Sequence, residues 1–356
     1  MIRSLPTRSL LLMYFVAFLC VPVPIVRSAR AEVVPDPNSL VKSLQAAEQS
    51  LVDLHVEKFK LLMQSRGANA KEWTASRFTM EGDAWYNGRR NSLARVNLSR
   101  SIMEWTNGAA PWIEQIRDIG FDGQTGRVVN HSEGPESHLR RDHTGLLLPD
   151  APPELTDRYL RFADGTAFCL NFYDGDGNGN TLSSEIRVAL DEKAGCTVAF
   201  DSLYGEKVLK VSISNGDTYV ADFWVEPDKG YALRKAIRRE RAHGNGDWVD
   251  LEITNVTRIV EAGQQIWFPL EGSSELDYPG KPGTKMRLSF VAQNAVANDP
   301  HFDRGIFTIP FPEGYFITDR VHGGVFRAKD GGDDAGGSGR NATSRLVPAT
   351  TQAAGK

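Results

Sequence analysis

Beyond Val26 the chain has no apolar run approaching the roughly 20 residues that a helix needs to cross a bilayer, so no later membrane anchor is expected. Cysteine is scarce, at 3 in 356 residues, which excludes a disulfide-stapled scaffold. No charge of one sign dominates: 41 Lys and Arg stand against 45 Asp and Glu, a formal charge of −4. That balance argues against a general nucleic-acid binder, whose electrostatic footprint is basic. The chain also lacks a G-x-S-x-G elbow, an H-E-x-x-H pair, a P-loop and a Rossmann glycine pattern leading into a helix. No catalytic residue and no organic cofactor site is therefore nominated.

The first residues have the grammar of an export signal. Arg3 and Arg8 precede the apolar core Leu10–Val21, and Ala29 and Ala31 supply the small-x-small spacing of a cleavage site. Cleavage after Ala31 is expected, giving an exported protein, periplasmic or extracellular. It takes away Arg3, Arg8, Arg27 and Arg30 and no acid, so the formal charge falls from −4 to −8. Cys169 and Cys196 remain. In an oxidising compartment they are a candidate disulfide that would enclose the Asp/Gly/Asn-rich stretch between them.

From Ser39 to about Arg327 the sequence carries nearly all of its aromatic and aliphatic residues. The remainder, 328–356, is rich in Gly, Ala and Thr and has no aromatic, so it is expected to be disordered. The body opens with one helical pattern. Asn38 or Ser39 can cap it, and Leu40, Leu44, Ala47 and Leu51 recur at helical spacing. The period then drops to two at Leu54 and Val56, and strand signals dominate.

Those strand signals include Met80/Ala84/Tyr86, Leu209/Val211/Ile213, Tyr219/Ala221/Phe223/Val225, Leu233/Ile237, Val249/Leu251/Ile253 and Met286/Leu288/Phe290. Many are joined by short Gly, Asn and Asp turns such as Asn87-Gly88 and Asp122-Gly123. Helical interruptions are expected near Pro153–Arg161 and Leu182–Lys193. The pattern is an antiparallel meander with one apolar face, which fits a sandwich, a propeller fragment or a curved sheet wrapped around helices.

Several segments together resemble the LolA/LolB-type lipoprotein-carrier superfamily, in particular its divergent outer-membrane lipoprotein-sorting-like members. They are the first helix running into LVDLHVEKFK, then EGDAWYNGRR, EWTNG, FDGQTGR and VEPDKGYALRKA, and the closing FDRGIFTIPFPEGYFITDR with Phe307, Ile309, Pro312, Gly314, Ile317 and Asp319. The resemblance covers most of 38–322. It implies an α+β fold, a curved antiparallel sheet forming an incomplete half-barrel closed by a few helices over 32–327. An additional segment near 131–195 departs from the simple carriers. It further implies a non-catalytic binding protein for a lipid, an acyl chain or a lipoprotein tail. An envelope sensor that engages a protein partner is the alternative, and a hydrolase built on dispersed carboxylates is the third reading.

Tyr173–Glu185, YDGDGNGNTLSSE, has the spacing of a calcium loop. Asp174, Asp176 and Asn178 would supply side-chain oxygens, Asn180 its carbonyl and Glu185 a bidentate carboxylate. The same composition suits an exposed turn-rich loop. His131, His138 and His143 match no metal motif and read as a polar loop. The basic run 233–243 reads as a solvated strand face balanced by acids, with Arg234 and Arg238 on one side and Leu233 and Ile237 on the other.

Overall fold

The strand pattern resolves into one very wide sheet. In the computed structural model the described residues are 33–87, 93–103, 113–131, 143–152, 155, 171–172, 180–216, 218–241, 248–277 and 283–329. The chain divides into two compact units, Met1–Val34 and Pro35–Lys356, and every element described below belongs to the second.

Helix α1 spans Pro37–Ser50. Its cap is Asp36, where Asn38 or Ser39 was expected: the Asp36 carboxylate accepts from the backbone N–H of Asn38 and Ser39, and Pro37 occupies the first turn, where its missing N–H costs nothing. A first meander follows: β1 (Asp53–Arg66), β2 (Thr74–Asn87), β3 (Leu93–Met103), β4 (Ile113–Phe121), β5 (Gly126–Asn130) and β6 (Thr144–Leu148). The short β7 (Asn171–Phe172) and β8 (Asn180–Thr181) pair with each other. Helix α2 (Leu182–Asp191) occupies the second expected helical segment, and Pro153–Arg161 lies almost wholly outside the described residues.

A second meander runs through β9 (Gly195–Leu203), β10 (Glu206–Asn215), β11 (Tyr219–Glu226), β12 (Ala232–Arg241), β13 (Trp248–Gly263), β14 (Ile266–Asp277) and β15 (Lys285–Val291). β16 (Asn294–Ala297), β17 (Phe316–Asp319) and β18 (Val325–Arg327) close the chain. The two meanders join where β15 pairs with β1, giving a 16-stranded sheet with β9 at one end and β18 at the other. Those end strands do not pair with each other, so the sheet is open.

One pairing differs from the all-antiparallel expectation: β17 lies parallel to β6. A parallel neighbour needs a long crossover, and the chain between β16 and β17 supplies it. That connection straps the face of the sheet opposite the main core. Arg95 donates to the Ile306 carbonyl at 3.1 Å and Arg127 to the Ile309 carbonyl at 3.0 Å. A Cβ on Gly120 would come within 2.7 Å of the Ile309 side chain, so the absence of a side chain there lets the strap lie flat. Val129, Leu147, Ile309, Tyr315 and Ile317 form a small core beneath it. The closing segment read from the sequence is therefore a strap and an added strand, and Ala328 extends it by bonding Tyr315 and Gly314.

The main apolar face can be followed strand by strand, because residues opposite each other in an antiparallel pair point the same way. It runs Val128–Ile119–Val96–Ala84–Val56 through the first meander. A bulge at Lys58, where φ is 47°, shifts the parity of β1, so Phe59 and Leu61 continue the face that Leu54 and Val56 began. On the second meander α1 and α2 cover this face: Leu40, Val41, Leu44, Leu182, Ile186 and Ala189 pack on Leu209, Val211, Phe223 and Leu233. Each fully buried Leu or Phe contributes about 1.5–3 kcal/mol relative to exposure. The helices are also tied together, since Glu48 of α1 accepts from the N–H and hydroxyl of Ser183 at 3.0 and 2.6 Å.

On the strapped face His55 stacks on Trp85 with ring centroids 4.8 Å apart, and Arg95 sits over the same indole while gripping Asp118 through two bonds of 3.0 and 2.8 Å. Burial pushes the His55 pKa down, against the pull of Glu57, Asp83 and Asp299. The fold thus favours the neutral ring. The associated stability is present above the ordinary histidine value near 6.5 and is lost as pH falls below it. Thermal unfolding between pH 7.5 and 5.5 should therefore show a falling melting temperature, and His55→Gln should flatten that slope; an unchanged slope in the variant would assign the acid sensitivity elsewhere.

Candidate functional site

Two neighbouring cross-strand rows of the main face carry the unusual chemistry. The first runs Val211, Phe223, Ala236, Thr254, Ser274, Leu288 and Met63 across seven strands. The second runs Ile213, Ala221, Arg238, Glu252, Leu276 and Met286. Each is apolar except at one pair, and the two polar pairs are adjacent on β12–β14. The result is a polar node set between the two apolar clusters of the same face.

The node is deeply buried: Ser274 is 0% exposed, Thr254 3%, Glu252 7% and Arg238 8%. The Thr254 and Ser274 hydroxyl oxygens lie 2.8 Å apart, and each hydroxyl reaches Glu252 Oε1, at 3.2 and 3.0 Å. Arg238 stands directly opposite Glu252 in the strand register. Its guanidinium donates to both carboxylate oxygens of Glu185, at 3.3 and 3.1 Å. Glu185 comes from the first turn of α2, where an acid also suits the helix dipole. Burying an ion costs several kcal/mol unless it finds partners, and the bonds just given offset that cost for Arg238 and Glu252.

Sequence parity missed this node. Val249, Leu251 and Ile253 appeared to be the core-facing set of β13, but Val249 is exposed and Leu251 and Ile253 are only half-buried, whereas Glu252, Thr254 and Val256 face the core. Irregularities at Arg238/Arg239 and at Trp224/Val225 re-phase β12 against its neighbours, so Leu233 and Ala236 share the core face although their spacing is odd. The basic run is correspondingly not a solvated face. Arg234 is buried and bonds Glu206 at 3.1 Å and Glu226 at 2.6 Å, while Arg239 binds Asp222 on the face of the sheet opposite Arg238. The acidic neighbours expected for the run are present, inside the fold.

Of the calcium-loop residues, Asp174, Asp176 and Asn178 lie outside the described residues. Asn180 is in β8, and Glu185 directs its carboxylate at Arg238. Thr181 is the N-cap of α2, its hydroxyl accepting from Ser184 N–H. Cys196 is a half-buried free thiol whose pKa is pushed up by burial, and Cys169 lies outside the described residues. His131 and His143 flank the Tyr315 ring at 5.7 and 5.0 Å, with His131 Nδ1 3.0 Å from the phenol oxygen; His138 lies outside the described residues.

No protein-family model matches the chain, and no curated protein matches it. Thirteen chains of solved structures are similar to it, among them two of the following kind. One is an outer membrane lipoprotein-sorting protein domain from Vibrio parahaemolyticus, 8% identical, with a TM-score of 0.38 over 76% of this chain and 97% of that one. The other is a LolA superfamily protein from Nitrosomonas europaea, 12% identical, with a TM-score of 0.34 over 78% of this chain and 99% of that one. Both are of the kind that the sequence resemblance names.

Proposed function

We propose that the protein is an exported, non-catalytic carrier that holds an apolar ligand, a lipid, an acyl chain or a lipoprotein tail, against the main face of its sheet. The observation that carries this reading is the division of that face. The β9–β12 part is covered by α1 and α2, whereas the larger apolar cluster on β1–β6 and β13–β16 is made mainly of strand side chains, with Leu51, Leu155 and Ala292 joining from outside the strands among the described residues. An extended dry face of this kind favours chains of methylenes, each contributing about 0.8 kcal/mol on transfer from water. In this reading the sheet wraps the ligand as a half-barrel, and the polar node fixes the depth to which an apolar chain can slide. Among the described residues no helix is long and apolar enough to cross a membrane, which fits a protein that carries its ligand away from one.

The test is direct. Protein exported to a bacterial periplasm, purified without detergent and extracted with organic solvent, should yield phospholipid or fatty acyl species in stoichiometric amount by mass spectrometry. A clean extract, together with no uptake of a fluorescent fatty acid, would overturn the carrier reading.

A further inference from the structure

The two ends of the sheet are built differently. β18 is three residues long and ends in Arg327, a short and charged edge of the sort that discourages further pairing. β9 is nine residues long, pairs with β10 without a register shift and contains no Lys, Arg or Pro. It has none of the usual protections except Asp201 near its end.

The turn after β9 sets which backbone groups face outwards. Tyr204 and Gly205 have φ of 55° and 82° and form a two-residue hairpin, closed by the pair Leu203 and Glu206. Counting back by twos, Leu203, Asp201, Ala199 and Thr197 bond to β10, while Ser202, Phe200, Val198 and Cys196 point their N–H and C=O away from the sheet. The Ser202 N–H is taken by the Asp201 carboxylate at 2.8 Å. Those of Phe200, Val198 and Cys196 have no partner among the described residues. The side chains of Cys196, Val198 and Phe200 are only half-buried at the rim of the helix-covered core, so the apolar face is also unfinished there.

We propose that a second copy of this chain completes this edge, β9 pairing antiparallel with its own symmetry mate about a two-fold axis at Val198. The stretch Gly195–Phe200 carries no charge, so it meets itself without like-charge repulsion. In this register Val198 faces Val198 of the partner subunit and Cys196 faces Phe200 of the partner subunit, joining the two half-buried rims. Asp201 falls opposite an uncharged glycine. The contact is isologous and closes at two copies.

Sedimentation equilibrium of the whole protein tests this. A dimer is expected, and Val198→Pro should halve the mass while leaving the far-ultraviolet circular dichroism unchanged. Its ring removes an outward N–H and no bond to β10. Should that variant fail to fold, Ala199→Lys, which puts two lysines beside the axis on the exposed face, should give the same halving. Val325→Pro on β18 should leave the dimer intact. A wild-type protein that is monomeric at every concentration, one that assembles beyond two, or a folded Val198→Pro or Ala199→Lys protein that stays dimeric would each overturn the proposal.

Discussion

Gly82→Ala is expected to destabilise the protein by about 3–5 kcal/mol, a range reserved for a few named mechanisms. Gly82 lies inside β2, opposite Phe59 on β1 and Leu98 on β3. A Cβ there would sit 1.9 Å from the Asn97 carbonyl oxygen and 2.9 Å from its carbonyl carbon. Both are backbone atoms of the flanking strand, so no rotamer change relieves the clash. β3 would have to move away, and it carries Arg95 and part of the strap contact with it. A glycine in a strand interior marks such a close approach of backbone. Gly67→Ala is the matched control: its nearest neighbour would be the Ala70 Cβ at 4.0 Å, and its effect should stay within about 0.5 kcal/mol. Urea unfolding of the two variants decides the matter, and equal midpoints would show that β2 and β3 are not held at this spacing.

Arg238→Met should cost about 3–5 kcal/mol, because it takes from the largely buried Glu185 carboxylate the cation that contacts both of its oxygens. The loss comes mainly from keeping an acid in a largely buried place without its cation, so adding Glu185→Leu should restore much of it, and the double-mutant cycle should return a large coupling energy. Coupling near zero would show that the pair is solvated like a surface bridge. The same double variant bears on binding. With the fold restored and the cation gone, a change in the extracted lipid would attribute ligand positioning to the node.

Much of the architecture was legible in the residues. Asp122-Gly123 makes its turn, with Asp122 accepting from Gln124 and Thr125 N–H, and Met286, Leu288 and Phe290 are buried as their alternation requires. The second helix is present at Leu182–Asp191 because Ile186 and Ala189 recur on one face above a capped start. The errors have two causes. The cap of α1 lies two to three residues before the expected Asn38 or Ser39, because Asp36 acts from just outside the helix, where the periodic pattern has not begun. Leu233/Ile237 and Val249/Leu251/Ile253 were phased by parity alone, and bulges change parity without leaving a mark in composition.

The sequence by itself determined that strands dominate, where several of them lie, some of the turns that join them, and that one face of a long meander is apolar. Only the tertiary structure decided that the chain returns to lay β17 parallel to β6, and that Arg238, Glu252, Thr254 and Ser274 meet on the buried side. The physical reason is register. A side chain's face in a sheet follows from its count along every paired strand, and a single extra residue in a bulge inverts it. Local chemistry states that Thr254 and Ser274 are polar; it takes β12, β13, β14 and α2 together to place them in a dry core.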